Sequence, residues 1–225
     1  MTMADYEARL NGRETVAEGT MAFRLEKPPG FAFTAGQAVD VLLGSERHTF
    51  SLVSAPFEEE LVFATRMREA SAYKRALKAL PIGAKVKLEG PAGGFLLDPD
   101  PTRAALFIAG GIGITPFMSM LRQAQHERSP RRIVLAYANR RPEFAAFLAE
   151  LQRMAGSNPS FKLHAAMTDA EGMIDAALLG RLAGPLGSPI HYIVGPPGMV
   201  FGVQEALRAA GVAEDAIVTE EFYGY

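Results

Sequence analysis

The stretch AALFIAGGIGITPFMSMLRQAQ (residues 104–125) decides how the rest of the chain is read. Its first seven residues form an apolar run of strand length, and its last ten suit a helix opened by proline in its first turn. Between them lies AGGIGITP (109–116), a glycine-rich loop in the strand-to-helix setting where such loops carry information. Gly110, Gly111 and Gly113 let a backbone come close to a pyrophosphate. The helix that follows starts at Thr115 and Pro116, and a helix N-terminus carries a partial positive charge with N–H groups turned towards a ligand. Pro116 stands where a dinucleotide fingerprint has its third glycine, so the loop by itself fits two readings, a nucleotide cradle or a tight structural turn.

Downstream, strand-like and helix-like segments alternate. RIVLAYA precedes PEFAAFLAELQRMAG, whose Phe144, Phe147, Leu148 and Leu151 have helical spacing. FKLHAAM, DAALLGRLAG, HYIVG and GMVFGVQEALRAAG continue the pattern, which predicts a parallel sheet with helices on both faces. A second loop, IVGPPGMV (193–200), with Gly195, Pro196 and Met199, also follows a strand. Open α/β sheets bind ligands at those strand ends, so the two loops support each other.

Upstream the character is different. YEARLNGRETV, TMAFRLEK, QAVDVLL, HTFSLVS, ELVFATRM and AKVKLEG are short β-rich runs separated by turns such as KPPG and GPAGG, predicting a small antiparallel barrel. SAYKRALKAL (71–80) reads as a helix among them. DPDPT (98–102) reads as a linker, placing domains at 1–100 and 101–225. The 225 residues are 48% apolar and 21% charged, with a net charge of −2, an ordinary globular composition with no general case for nucleic acid. No apolar run approaches the ~18 residues of a membrane span. The start MTMADYEARL lacks a basic-then-apolar leader pattern, which predicts a cytoplasmic protein. The absence of cysteine removes thiolate catalysis, iron–sulfur clusters and cysteine zinc sites, and the four histidines have no metal-ligand spacing.

With the strand SERHTFSLVSAP (45–56), these loops resemble the ferredoxin–NADP reductase superfamily. That family has an Arg-x-Tyr-Ser/Thr strand in a flavin-binding barrel, Gly-Gly-x-Gly-x-x-Pro and Cys-Gly-Pro loops in a second domain, and an acidic–aromatic C-terminus. The corresponding stretches here are HTFS (48–51), GGIGITP (110–116), VGPPGM (194–199) and EEFYGY (220–225), in the same order; FTAGQAVDV and LEGPAGGF resemble its scaffold. The resemblance implies an N-terminal antiparallel six-stranded FAD-binding barrel and a C-terminal parallel-sheet NAD(P)-binding domain. It places His48 at the arginine position that meets phosphate, with Arg47 and Thr49 beside it. The His-x-Phe-Ser order is similar to the His-Pro-Phe-Thr strand of ferric reductases and NADPH oxidases. Phe50 would lie along the flavin and Ser51 at its N5 edge, while Thr65 and Met67 would line the ribityl chain and ring. Ser71 would cap a helix or receive the pyrophosphate.

Two departures stand out. Val194 replaces the cysteine of the second loop, and hydride transfer depends on proximity more than on that sulfur. At the C-terminus the acidic–aromatic pair is either Glu220 with Phe222 or Glu221 with Tyr223, with Phe222 favoured and Tyr223 and Tyr225 as rivals. Asn139, Arg140 and Arg141, ending the second strand of the sheet, lean towards NADPH over NADH. Residues 66–88 carry seven basic side chains against Glu69, so Lys74, Arg75 and Lys78 offer a docking face for an acidic ferredoxin or flavodoxin, unless they are only a solvated helix face. The expected function is an FAD-dependent NAD(P)H oxidoreductase serving a separate acceptor. The alternatives are a subunit of a larger enzyme, a free flavin or ferric reductase, and a non-catalytic nucleotide sensor.

Overall fold

The computed structural model describes residues 4–223, which divide into two compact units, residues 4–97 with 115–123, and residues 98–114 with 124–223. Tyr225, one of the rival C-terminal aromatics, lies outside the described residues.

The first unit holds β1 (Ala4–Ala17), β2 (Thr20–Glu26), β3 (Ala38–Leu43), β4 (Glu46–Ser51), β5 (Glu60–Arg66), α1 (Ala72–Ala79) and β6 (Lys85–Ala92). The strands pair antiparallel in the order β4-β3-β6-β1-β2-β5. β1 serves both halves of this sheet, pairing with β6 through Ala4–Arg9 and with β2 from Leu10 onwards. Register shifts at Leu10/Gly12 and Thr15/Ala17 mark the bulges that bend a strand this long. An isolated Leu52–Phe63 bridge brings the two edge strands β4 and β5 together. Leu10, Phe23, Val39, Phe50, Leu61 and Phe63 fill the interior, with Tyr73 and Leu77 entering from α1. In FTAGQ, Gly36 has φ +101°, and a Cβ there would lie 2.2 Å from the Phe95 carbonyl oxygen. The two scaffold stretches noted in the sequence therefore abut through a position only glycine can occupy.

The second unit holds β7 (Ala105–Gly110), β8 (Ile133–Asn139), α3 (Leu148–Ser157), β9 (Phe161–Met167), α4 (Thr168–Glu171), α5 (Ala176–Ala183), β10 (Ile190–Gly195), α6 (Pro197–Ala209) and β11 (Ile217–Glu221). The helix α2 (Thr115–His126) follows β7, and its residues 115–123 pack with the first unit. There, the Ser119 hydroxyl donates to the Ser54 carbonyl at 2.7 Å and Phe117 meets Phe95 edge-on. All five strands of the second sheet are parallel, in the order β11-β10-β7-β8-β9. β7 is buried along its whole length, which explains its unbroken apolar run. Among the described residues no helix is long and apolar enough to cross a membrane.

Two sequence expectations change, and one strand escaped the sequence reading. The helix expected from Pro142 begins only at Leu148, after a single tight turn at Pro142–Phe144 and a left-handed Phe147 (φ 61°). The break seats Ala145 and Ala146 in the core, where the fully buried Tyr137 hydroxyl donates to the Ala146 carbonyl at 3.2 Å. A buried hydroxyl left unpaired would cost about 1–3 kcal/mol. The linker DPDPT is pinned, because Arg131 donates to the carbonyls of Asp98 (2.6 Å) and Asp100 (2.8 Å), and the Asp98 amide donates to the Tyr192 hydroxyl at 2.8 Å. The sequence reading also missed β11, a five-residue edge strand with few apolar residues.

His191 on β10 is 4% exposed, and its Nδ1 lies 3.4 Å from the Ala216 carbonyl oxygen that leads into β11. Burial holds its pKa below the ordinary imidazole value, partly opposed by that hydrogen bond. The native state therefore binds fewer protons than the unfolded chain, and its stabilisation is complete above the unfolded value of about 6.5. Stability should fall as pH drops through the window below that value. Thermal unfolding of the protein and of His191→Gln at about pH 7.5 and about pH 5.5 checks this; an equal loss in both would refute the role of His191.

Candidate functional site

In the first unit, the geometry of β4 follows from its turn. Gly44, at φ +62°, and Ser45 form a two-residue hairpin between Leu43 and Glu46, which sets the register with β3. Val41 faces His48, Val39 faces Phe50 and Asp40 faces Thr49. His48 and Phe50 thus share the face of the buried valines, and Arg47 and Thr49 share the opposite face. Arg47 is held there by Glu89 and, at 3.6 Å, by Asp40, while the Thr49 hydroxyl donates to Asp40 at 2.5 Å. Two carboxylates already compensate this arginine.

The His48 side chain is 41% exposed, stacks on Tyr73 (ring centroids 3.9 Å apart) and has Glu46 at 3.8 Å. Phe50 is only 5% exposed and stacks on Phe63 at 4.6 Å. Its ring is a core residue of the barrel in this structure, a placement that the sequence did not indicate. Ser51 ends β4, buried opposite Ala38.

Past the Leu52–Phe63 bridge, β4 pairs along its length only with β3, and β5 only with β2. This leaves a seam with backbone edges on both sides. On the β5 side, Thr65 is fully buried, and its hydroxyl oxygen has no hydrogen-bond partner. Orphaned buried hydroxyls are rare enough to point to a missing partner. Beyond Thr65, Met67 is tied to the Gly19 carbonyl at 2.7 Å and packs against the barrel core. A cavity of about 470 Å³ follows, lined by Met67, Arg68, Glu69, Arg75 and Lys78. The Ser71 hydroxyl caps α1 by accepting from the Lys74 amide at 3.2 Å, leaving its proton free to donate. An unpartnered hydroxyl on an open strand seam, leading to a cationic cavity beside a helix N-terminus, fits a long planar ligand carrying a pyrophosphate such as FAD.

The docking face proposed from sequence needs a correction. Lys74 is 6% exposed and donates to the Arg66 carbonyl at 2.8 Å. Burial, followed by the charges of Arg68 and Arg66, lowers its pKa. Only Arg75 and Lys78 of the three are exposed. Helical phase is the reason, since Lys74 follows Tyr73 on the side of α1 that packs inward. Arg68, which lines the cationic cavity, was counted from sequence only among the seven basic side chains of 66–88; its place three residues before the helix cap is the signal that could have found it.

In the second unit, the chain runs outward from β7 to β8 and β9, then returns to the other side of β7 as β10 and β11. The strand order reverses between β7 and β10, the switch point where open α/β sheets bind nucleotides. The two loops singled out from sequence leave those two strands, and they touch. A Cβ on Gly113 would lie 2.4 Å from the Val194 carbonyl oxygen, and one on Gly110 would lie 2.2 Å from the Met199 sulfur and 3.1 Å from Pro196. Gly195 in turn packs on Gly110. Gly111 has φ +55° and nothing within 4 Å of where its Cβ would be, so its backbone faces open space. The glycines at 110 and 113 thus let the loops pack on each other, and the one at 111 leaves backbone accessible to a ligand. Thr115 and Pro116, both buried, open α2 directly after this loop.

The C-terminus joins the second loop. Val194 pairs with Glu220, Gly195 with Glu221, and the Phe222 amide donates to the Gly195 carbonyl at 3.0 Å. Phe222 is half-buried, whereas Tyr223 is 72% exposed with its hydroxyl donating to Glu221, which raises its pKa. Alternation puts Glu220 with Phe222 and Glu221 with Tyr223. At the end of β8, Asn139 is buried with its side-chain nitrogen unpartnered. Arg140 makes an exposed ion pair with Asp169 at 3.4 Å, and Arg141 lies over the Phe144 ring at 4.7 Å. An orphaned donor and two arginines at a strand's C-terminal end fit a nucleotide as well.

The comparisons with known proteins agree with this geometry. Residues 107–205 match the oxidoreductase NAD-binding domain family. The chain is 32% identical over 216 residues to the ferredoxin reductase component of 3-ketosteroid-9-alpha-monooxygenase from Mycolicibacterium smegmatis, covering 92% of this chain and 60% of that protein. It is 30% identical over 234 residues to the carnitine monooxygenase reductase subunit of Escherichia coli, covering 98% of this chain and 70% of that one. A ferredoxin NADP+ reductase from Neisseria gonorrhoeae, solved with bound FAD and NADP, superposes with a TM-score of 0.84 at 20% identity, covering 96% of this chain and 98% of that chain. The chain belongs to the ferredoxin–NADP reductase superfamily of FAD- and NAD(P)-binding oxidoreductases. It spans 60% of the monooxygenase reductase from Mycolicibacterium smegmatis and 64% of the propane 2-monooxygenase reductase component of Rhodococcus jostii.

Proposed function

We propose that this chain is an FAD-dependent NAD(P)H oxidoreductase that passes electrons to a separate acceptor, a ferredoxin-like carrier. The observation that carries this reading is the pair of mutually packed loops, Gly110–Ile114 and Gly195–Met199, at the switch point of the second sheet. FAD held here would supply hydride acceptance and single-electron release, chemistry that the protein positions and does not itself supply. The chain's own residues bind and orient. The Gly111 backbone and the N-terminus of α2 receive the pyrophosphate of the nicotinamide nucleotide. His48, the Thr65 hydroxyl, Met67 and Ser71, with Arg68, Arg75 and Lys78, hold FAD along the seam and cavity of the first unit. Ser51, buried at the end of β4, would meet the flavin's reactive edge, as the resemblance of HTFS to the family's flavin strand implies. Glu220 and Phe222, anchored to Gly195, form the acidic–aromatic pair. Val194 in place of cysteine leaves this arrangement without a thiol. A cytoplasmic location belongs to the same reading, because NAD(P)H is an intracellular reductant.

Anaerobic titration of the FAD-loaded protein with NADPH and then NADH tests the proposal. Loss of the flavin's visible absorbance is expected; a flavin-bearing protein that neither nucleotide bleaches would be a binding module only. A second reading, the reductase portion of a larger electron-transfer assembly, is favoured by the partial coverage of the oxygenase reductases. Co-purification with an iron–sulfur partner would distinguish it.

NADPH is the proposed donor, with Arg140 and Arg141 meeting the 2′-phosphate. Replacing both by alanine should raise KM for NADPH at least about tenfold, since a hydrogen bond to a charged group contributes about 1.5–3 kcal/mol and ~1.4 kcal/mol is a factor of ten, with KM for NADH within about twofold. Equal changes for the two nucleotides would remove the arginines from phosphate recognition.

A further inference from the structure

At the opposite strand ends from the glycine loops, where β8 and β9 begin, the second unit contains a cavity of about 440 Å³. This volume lies within the range of small-molecule sites. Leu182 and Leu186 line it together with Val134 of β8, an apolar lining continuous with the core of this unit. Its charged lining is cationic: Arg132, Lys162 and Arg181 are present beside His164 and Ser160, and no carboxylate is.

The arrangement of these groups follows from the sheet. Lys162 and His164 are two residues apart on β9, so they share a face, and Lys162 is the register partner of Val134. Arg181 comes from α5, which lies against β8 on that side. Arg132 is fixed by donating to the carbonyls of Pro185 at 2.8 Å and Leu186 at 3.0 Å, which orients the guanidinium without neutralising it. Among the described residues none of the three cations, Arg132, Lys162 and Arg181, forms an ion pair. A cation cluster without carboxylates raises the local concentration of anions, and an apolar floor beneath it favours a ligand with a hydrocarbon body.

We propose that this cavity binds an amphipathic monocarboxylate, its carboxylate among Arg132, Lys162 and Arg181 and its alkyl or aryl body against Leu182 and Leu186. A bare phosphate would leave the apolar floor in contact with water, and a neutral hydrophobe would leave the cations uncompensated. The site is separate from the nucleotide loops, at the opposite strand ends of the same sheet and on different strands, and does not depend on the proposed redox function.

Octanoate is the probe, titrated into the isotopically labelled, FAD-loaded protein and followed by amide NMR shifts, with octanol and inorganic phosphate in parallel. Saturable shifts confined to the starts of β8 and β9 and to α5 are expected with octanoate. Octanol and phosphate should each bind at least tenfold more weakly. Lys162→Gln/Arg181→Gln changes two exposed side chains and should weaken octanoate at least tenfold, while flavin bleaching by NAD(P)H stays unchanged. Absence of saturable shifts, equal binding of octanol or phosphate, or undiminished binding to the double variant would each overturn the proposal.

Discussion

Gly113→Ala is expected to raise KM for NAD(P)H by about a hundredfold or more, the loss that follows from misplacing a binding loop by about 1 Å. The added Cβ would meet the Val194 carbonyl oxygen at 2.4 Å, its carbon at 2.7 Å and the Gly195 amide nitrogen at 3.0 Å. All three are backbone atoms, and none can turn aside as a flexible side chain could. The loop must retreat from the end of β10, taking with it the Gly111 backbone and the start of α2. Overpacking of this kind also costs about 1–3 kcal/mol of stability, so thermal unfolding should be measured beside the stopped-flow reduction of bound flavin. Gly111→Ala is the control for strain alone. Its Cβ meets nothing within 4 Å, and φ +55° costs an L-residue about 1–2 kcal/mol. If Gly113→Ala reduces flavin with an unchanged KM, the contact between the two loops does not position the nucleotide.

His48→Ala should weaken FAD retention about tenfold to a hundredfold, and Arg47→Ala less than about threefold. A hydrogen bond to a charged phosphate contributes about 1.5–3 kcal/mol, and ~1.4 kcal/mol is a factor of ten in affinity. His48 is half-exposed, stacked on Tyr73 near the start of the seam, with Glu46 as its ionic neighbour at 3.8 Å. Arg47 lies on the other face of β4, between Asp40 and Glu89, and a phosphate would have to displace those carboxylates. Dissociation constants from flavin fluorescence quenching decide the ranking. The reverse order would mean that β4 turns its other face to the cofactor.

Much of the architecture was legible because hydrophobic period and turn chemistry are local properties. AALFIAG reads as a buried strand since β7 is covered on both faces, and the barrel strands alternate as half-buried strands do. The expectation that failed at Pro142 had the right period. The competing demand was the buried hydroxyl of Tyr137, which takes the Ala146 carbonyl and so interrupts the helix. β11 escaped notice because a short edge strand needs little apolar character when its neighbour β10 supplies the pairing.

The sequence by itself determined the two architectures, the order of the elements, the glycine loops and the family. These rest on backbone conformation and on spacing along the chain, which neighbours in sequence dictate. Only the tertiary structure decided which side chains are available. It turned Phe50 into the barrel core, buried Lys74 against the Arg66 carbonyl and compensated Arg47 with two carboxylates. It left the Thr65 hydroxyl and the Asn139 amide nitrogen without partners. Each of these outcomes depends on register across strands or on a partner far along the chain, as when the hairpin at Gly44–Ser45 sets which face of β4 carries His48.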